Sequence, residues 1–156
     1  MMRKTMTSLL VGLLVAGVFA TTAQAKPVGG SYDETLLPFP KLAAWGDPVG
    51  IAEPSCLAGQ SGVNWDAHDF TAPANGTLMA SMKGFTGDWD LFILNAAGDR
   101  VHPLAMSEND QGTGGAAAEE AVELVLKKGT KVQIAPCNWA GAPQATVSYM
   151  FMAKKK

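Results

Sequence analysis

Gly87-Asp88-Trp89-Asp90-Leu91 places two carboxylates at i and i+2, which is one side of an extended strand. Like charges that close repel unless solvent, a base or a cation relieves them. Ca²⁺ accepts oxygen ligands in flexible geometry and commonly combines such pairs with backbone carbonyls. Asp88 and Asp90 are therefore the candidate metal ligands, with calcium as the ion. The structural alternative is that Asp88 ends a turn and Asp90 bonds backbone amides. His68 and His102 are the only imidazoles available to a general base, and neither lies in a recognisable catalytic motif. Gly59-Gln60-Ser61-Gly62 is not a nucleophile elbow, because its second glycine comes one position too early. Met79, Met82 and Met106 with the two histidines are conceivable copper ligands, but methionine in alternating strands commonly fills a core.

The compartment decides how the two cysteines read. Arg3 and Lys4 precede an apolar run from Leu9 to Ala20, and Ala23-Gln24-Ala25 is a small-x-small cleavage site. That order predicts a secretory signal peptide over residues 1–25, too short to span a bilayer. No cysteine follows the run, so no lipid anchor is expected. Cys56 and Cys137, the only cysteines, are expected to form a disulfide in the oxidising space outside the cytoplasm. No CxxC or HxxxH spacing supports a two-cysteine metal site instead. The chain is expected to be secreted or periplasmic.

The mature part carries ten basic and 14 acidic side chains, a net charge of −4. Three of the bases are Lys154-Lys155-Lys156, so the body stands at −7. Phosphate binding needs clustered Lys and Arg, so a nucleic-acid partner is excluded. The three lysines read as a solvated end, with contact to an acidic surface as the alternative. No further segment is long and apolar enough for a membrane span.

Short apolar segments between turn signals must position these groups. Residues 76–84 alternate, with Leu78, Ala80 and Met82 opposite Met79, Ser81 and Lys83. Residues 88–95 form a dense strand between Thr86-Gly87 and Asn95-Ala96-Ala97-Gly98. Strands are also expected over 100–106, 130–136 and 145–153, with Val147, Tyr149 and Phe151 sharing a face of the last. Residues 116–128 have helix formers and a favourable charge order, yet Val122, Leu124 and Leu126 alternate against Ala121, Glu123 and Val125. The surrounding strands favour strand over helix there, at Glu120 to Leu126. Residues 26–62, broken by glycine and proline, read as an irregular arm that packs through Leu36, Leu37, Phe39 and Trp45. The glycine-rich stretch 112–115 lacks the lysine and helix of a P-loop. The whole predicts an all-β sandwich over 63–153, with a basic tail at 154–156. Trp65, Trp89, Trp139 and Tyr149 are either core or a binding face for sugar or protein.

The strand Gly87-Asp88-Trp89-Asp90-Leu91-Phe92-Ile93-Leu94 resembles the core strand of the bacterial pre-peptidase C-terminal domain family, an Asp-x-Asp-Leu-aromatic-Val strand followed by a glycine turn. Further matches run in order through Gly98, Ser107, Asn109, Glu119 or Glu120, Gly129-Thr130 and Tyr149. The resemblance covers roughly residues 63–153. It implies a jelly-roll-type β-sandwich and a non-catalytic extracellular module, related to collagen-binding domains of which some bind calcium. Asp88 and Asp90 are the matching acids. The chain departs from the family in having no peptidase domain, and in Lys131 and Val132 where paired aromatics are usual. Only Asp33-Glu34 stands for the acidic arm of the relatives' calcium site.

Two functions follow. One is a secreted or periplasmic binding module for an extracellular protein or polysaccharide, with calcium as a stabilising ion. The other is a small secreted hydrolase using His68 or His102 with an acid.

Overall fold

A computed structural model describes residues 27–38, 56–58, 60–107 and 119–155. The expected leader, Phe39, Trp45, Asn109 and the glycine-rich stretch 112–115 lie outside them. Among the described residues eight strands form two four-stranded antiparallel sheets: β1 (Val28–Thr35), β2 (His68–Thr71), β3 (Gly76–Lys83), β4 (Gly87–Asn95), β5 (Ala105–Ser107), β6 (Glu120–Leu126), β7 (Lys131–Gly141) and β8 (Gln144–Ala153). The first sheet has the order β1-β8-β3-β6 and the second β2-β7-β4-β5. The pairs β1·β8, β2·β7, β3·β6 and β4·β5 are those of one long antiparallel ribbon, folded at its tip and rolled so that alternate pairs fall in opposite sheets. That is a jelly roll, the type the resemblance implies, and a sandwich, as the alternation led us to expect.

Alternation drives each strand into place. Along β3, Leu78, Ala80 and Met82 turn inward, and on β6 Val122 and Leu126 do the same while Val125 stays 77 % exposed. The helix propensity of residues 120–126 therefore loses to pairing with β3, which buries one face of the segment. β4 is buried on both sides. Trp89, Leu91 and Ile93 enter the core between the sheets. Phe92 and Leu94 join a second apolar cluster with Cys56, Leu57, Ala135 and Cys137, flanked by Trp65 and Trp139. The indole of Trp89 donates to the carbonyl of Ala142 at 3.0 Å, so its one polar atom is matched.

The structure differs from the sequence reading in four places. β2 was not expected, and β7 runs on from the expected 136 to Gly141. The other two differences bear on the edges of the sandwich. The segment read as an irregular arm begins with an eight-residue strand, β1, in register with β8 from Val28–Phe151 to Thr35–Gln144. Gly29 and Gly30 mask it in sequence, and its order comes from backbone pairing rather than from an apolar face. Leu36 then enters the core at 2 % exposure, while Leu37 is 58 % exposed. The strand expected over 100–106 shrinks to Ala105–Ser107. Asp99 accepts from the amides of Val101 and His102, at 3.0 and 3.3 Å, and holds a turn there instead.

Candidate functional site

Cys56 and Cys137 are bonded, with Cα atoms 5.9 Å apart and 81 residues between them in sequence. The bond fixes the short 3₁₀ turn Cys56–Ala58 onto the outer face of the second sheet, over Phe92 and Leu94. Arg100 secures the same cover. Its Nη1 donates to the carbonyl of Leu57 at 2.7 Å, and its guanidinium lies 5.5 Å from the ring centre of Trp65.

Asp90 lies under this cover, 9 % exposed, with Oδ2 3.2 Å from Cys56 Sγ. A disulfide sulfur carries no hydrogen, so this is a sulfur–oxygen contact. Asp88 lies at a bulge where β7 carries one residue more than β4. Its neighbour Gly87 has φ +87°, and a Cβ there would stand 2.5 Å from the carbonyl oxygen of Ala140. Among the described residues no group of three His, Cys, Asp or Glu gathers at the pair or elsewhere. A calcium ion here would draw at least two of its six to eight oxygens from backbone or water, even with both carboxylates bidentate.

The two histidines lie apart. His102 Nδ1 is 3.3 Å from Asp99 Oδ2, with an imidazole 82 % exposed on the turn. The amides of Val101 and His102 hold the Asp99 carboxyl below its usual range. His68 sits where the edge strands β1 and β2 face each other. Its ring stacks on Tyr32 at 4.9 Å and tilts against Tyr149 at 5.1 Å, and Nε2 lies 3.3 Å from the Tyr149 hydroxyl. Its polar neighbour is a phenol, and the carboxylates near the cluster are Glu34 and Asp66.

Burial first, and then the charge of Asp66, raise the Glu34 carboxyl above its ordinary value. Burial, with Glu34, Asp66 and Tyr149 adding to it, pushes the Tyr32 phenol far up. The Tyr32 hydroxyl has no hydrogen-bond partner among the described residues. A phenol whose folded pKa exceeds its unfolded value favours the fold while neutral, and that stability is lost as pH rises above about 10. Tyr32→Phe should therefore raise stability at pH 7 by about 1 kcal/mol, by removing a buried unmatched hydroxyl. It should also flatten the alkaline decline above pH 10. Melting curves at both pH values check this, and identical curves for the two proteins would refute it.

A third place was not singled out in the sequence: the outer face of the first sheet. The register lays its residues in rows across the strands. One row, Ser31–Ser148–Ser81–Ala121, is all small side chains. The next is Gly29–Met150–Met79–Glu123, and beyond it Met152, Thr77 and Val125 lie side by side. The small row makes a shallow depression of about 550 Å³ beside the methionines. Val125, Met150 and Met152 reach solvent at 77, 40 and 46 % exposure. The only sequence signal was the outward half of each alternation, with no indication of which strands would be neighbours.

Inside the sandwich Ser107 donates to Glu120 Oε2, linking β5 of one sheet to β6 of the other around a carboxylate that is 0 % exposed. No helix among the described residues is long and apolar enough to cross a membrane.

No protein-family model matches the chain, and no curated protein matches it. Among solved structures it is similar to PliG of Aeromonas hydrophila, a periplasmic lysozyme inhibitor of g-type lysozyme. That likeness has 10 % identity and a TM-score of 0.41, over 85 % of this chain and 90 % of that one. A likeness so slight assigns neither a fold family nor a partner.

Proposed function

We propose that the mature chain is a secreted or periplasmic, non-catalytic β-sandwich of the pre-peptidase C-terminal type. It binds an extracellular protein through the outer face of the β1-β8-β3-β6 sheet. The supporting observation is an asymmetry between the outer faces. On the second sheet Cys56–Ala58 and Trp65 cover β4 and β7, and its exposed methionine, Met106, stands on the short edge strand β5, whereas Val125, Met150 and Met152 of the first reach solvent together across β6 and β8. Methionine is flexible and polarizable, and it adapts to apolar side chains of a protein partner. Sugar rings stack on exposed aromatic faces, and none of the residues that the register places on this face is aromatic. A protein therefore fits better than a polysaccharide. The jelly-roll order and the Asp-x-Asp-Leu strand at β4 support the family reading.

The test captures partners from the source organism's own secreted fraction, then titrates the purified partner against variants. Val125→Lys and Met150→Lys should each weaken binding at least about tenfold, as central apolar contacts do. Met106→Lys, on the other sheet, should bind like the parent. Equal binding by all three would remove the face from the proposal. His68→Ala and His102→Ala variants separate the hydrolase reading, which requires complete loss of activity in one of them, from the binding module, which requires loss in neither.

Calcium is a separate proposal resting on Asp88 and Asp90. With two carboxylates the site is weak. At five times its dissociation constant calcium adds about 1 kcal/mol, roughly 3 °C of melting temperature for a domain of this size. Mg²⁺ should do less. Coincident curves in millimolar calcium and in chelator, or the same rise in Asp88→Asn, would remove the ion.

A further inference from the structure

Met79, Met150 and Met152 are three of the five methionines that follow the expected leader, and the register sets them side by side. Met79 stands opposite Met150 across the β3·β8 pair. Met152 is the next residue of β8 on the same face, opposite Thr77. Directly opposite side chains have Cβ atoms about 5 Å apart and diagonal ones about 7–8 Å, so three flexible thioethers on this triangle can meet above the sheet. Met150 and Met152 are exposed enough to turn without unpacking the core, which Met82, 0 % exposed, is not. On the far side of Met79 the register puts Glu123, and Met79, Met150 and Glu123 line the same depression.

Thioethers are soft, neutral donors that select copper(I) and leave calcium and magnesium to oxygen ligands. In an oxidising compartment they are the soft donors that persist, because both thiols of this chain are spent in the disulfide. Three neutral sulfurs leave the charge of the ion uncompensated, and the carboxylate of Glu123 stands beside them to balance it. We infer that Met79, Met150 and Met152 form a binding site for copper(I), with Glu123 at its edge. The site shares the face of the docking proposal but does not rest on it, since the ion needs only this chain.

The test uses the mature, disulfide-bonded protein with carbon-13-labelled methionine methyls, titrated anaerobically with copper(I) and, as a redox-inert check, with silver(I). The methyl signals of Met79, Met150 and Met152 should shift and saturate at one equivalent, while those of Met82 and Met106 stay in place. Met79→Leu, Met150→Leu and Met152→Leu keep the apolar volume. Each should weaken copper(I) binding, measured against a chromophoric chelator, by at least about tenfold, the scale on which lost metal-site groups act. Met106→Leu should change nothing. The unshifted Met82 methyl reports that each variant is folded. Shifts spread evenly over all five methyls, no saturation, or unchanged affinity in the three variants would overturn the site. No partner protein is present, so such a failure would leave the docking proposal untouched.

Discussion

Replacing Cys56 and Cys137 together by alanine lowers the stability of the protein by about 4.5 kcal/mol, on the chain-entropy account of a bond that closes 81 residues. For a domain of this size that is roughly 15 °C of melting temperature. That loss arises in the unfolded chain, but the bond also has a local role in the folded one. Without the bond, the 3₁₀ turn is held over Phe92 and Leu94 mainly by the Arg100–Leu57 hydrogen bond and by packing. Hydrogen exchange in the double variant should therefore rise first along the covered side of β4 and β7, before the core between the sheets opens. Reduction of the parent protein should reproduce both effects. A fall of only a degree or two would mean that Arg100 and the apolar contacts hold the cover alone, and the bond would lose its structural role.

Asn138→Leu should cost about 3 to 4 kcal/mol, close to 10 °C, although it replaces a polar side chain by a similar apolar volume. Asn138 is 0 % exposed. Its Nδ2 donates to the carbonyls of Leu36, Ala142 and Gly141 at 2.8, 3.2 and 3.3 Å, and its Oδ1 accepts from the amide of Gly141 at 2.7 Å. One amide thus ties the exit of β1 to the β7–β8 turn. Leucine can match neither the Leu36 carbonyl nor the Gly141 amide, and each buried group left unmatched costs about 1 to 3 kcal/mol. Asn64→Leu tests the same principle one link away, where Nδ2 reaches the carbonyls of Leu37 and Pro38 at 3.1 and 3.2 Å. Its effect should be smaller, because it lies nearer the surface. If Asn138→Leu melts within 3 °C of the parent, backbone pairing alone holds this end of the sandwich.

Strands whose inward side chains are apolar were legible. β3, β4, β6 and β8 show alternation or dense apolar content, and even the ambiguous stretch at 120–126 resolves as its period-two pattern implies. β1 was not legible. Of its residues only Tyr32 and Glu34 are as much as half-buried, and its order comes from β8, more than a hundred positions later. β2 is too short for a period, with Phe70 its single buried residue.

The candidate site divides in the same way. The i, i+2 relation of Asp88 and Asp90 could be read, but not that a disulfide would lie against Asp90. Nor could the methionine face, since Met79 and Met150 become neighbours only once β3 is known to pair with β8.

That pairing also sets an order of events. β8 lies between β1 and β3, so the last of the described strands in chain order is an interior member of its sheet. A chain leaving the ribosome, or crossing a membrane with its N-terminus first, carries β1 and β3 with nothing between them until residue 153 is through. The first sheet therefore cannot close early, and non-local pairing of this kind is slow to form in any case. If the chain is exported as its leader predicts, the same topology that delays folding keeps the polypeptide threadable on the way.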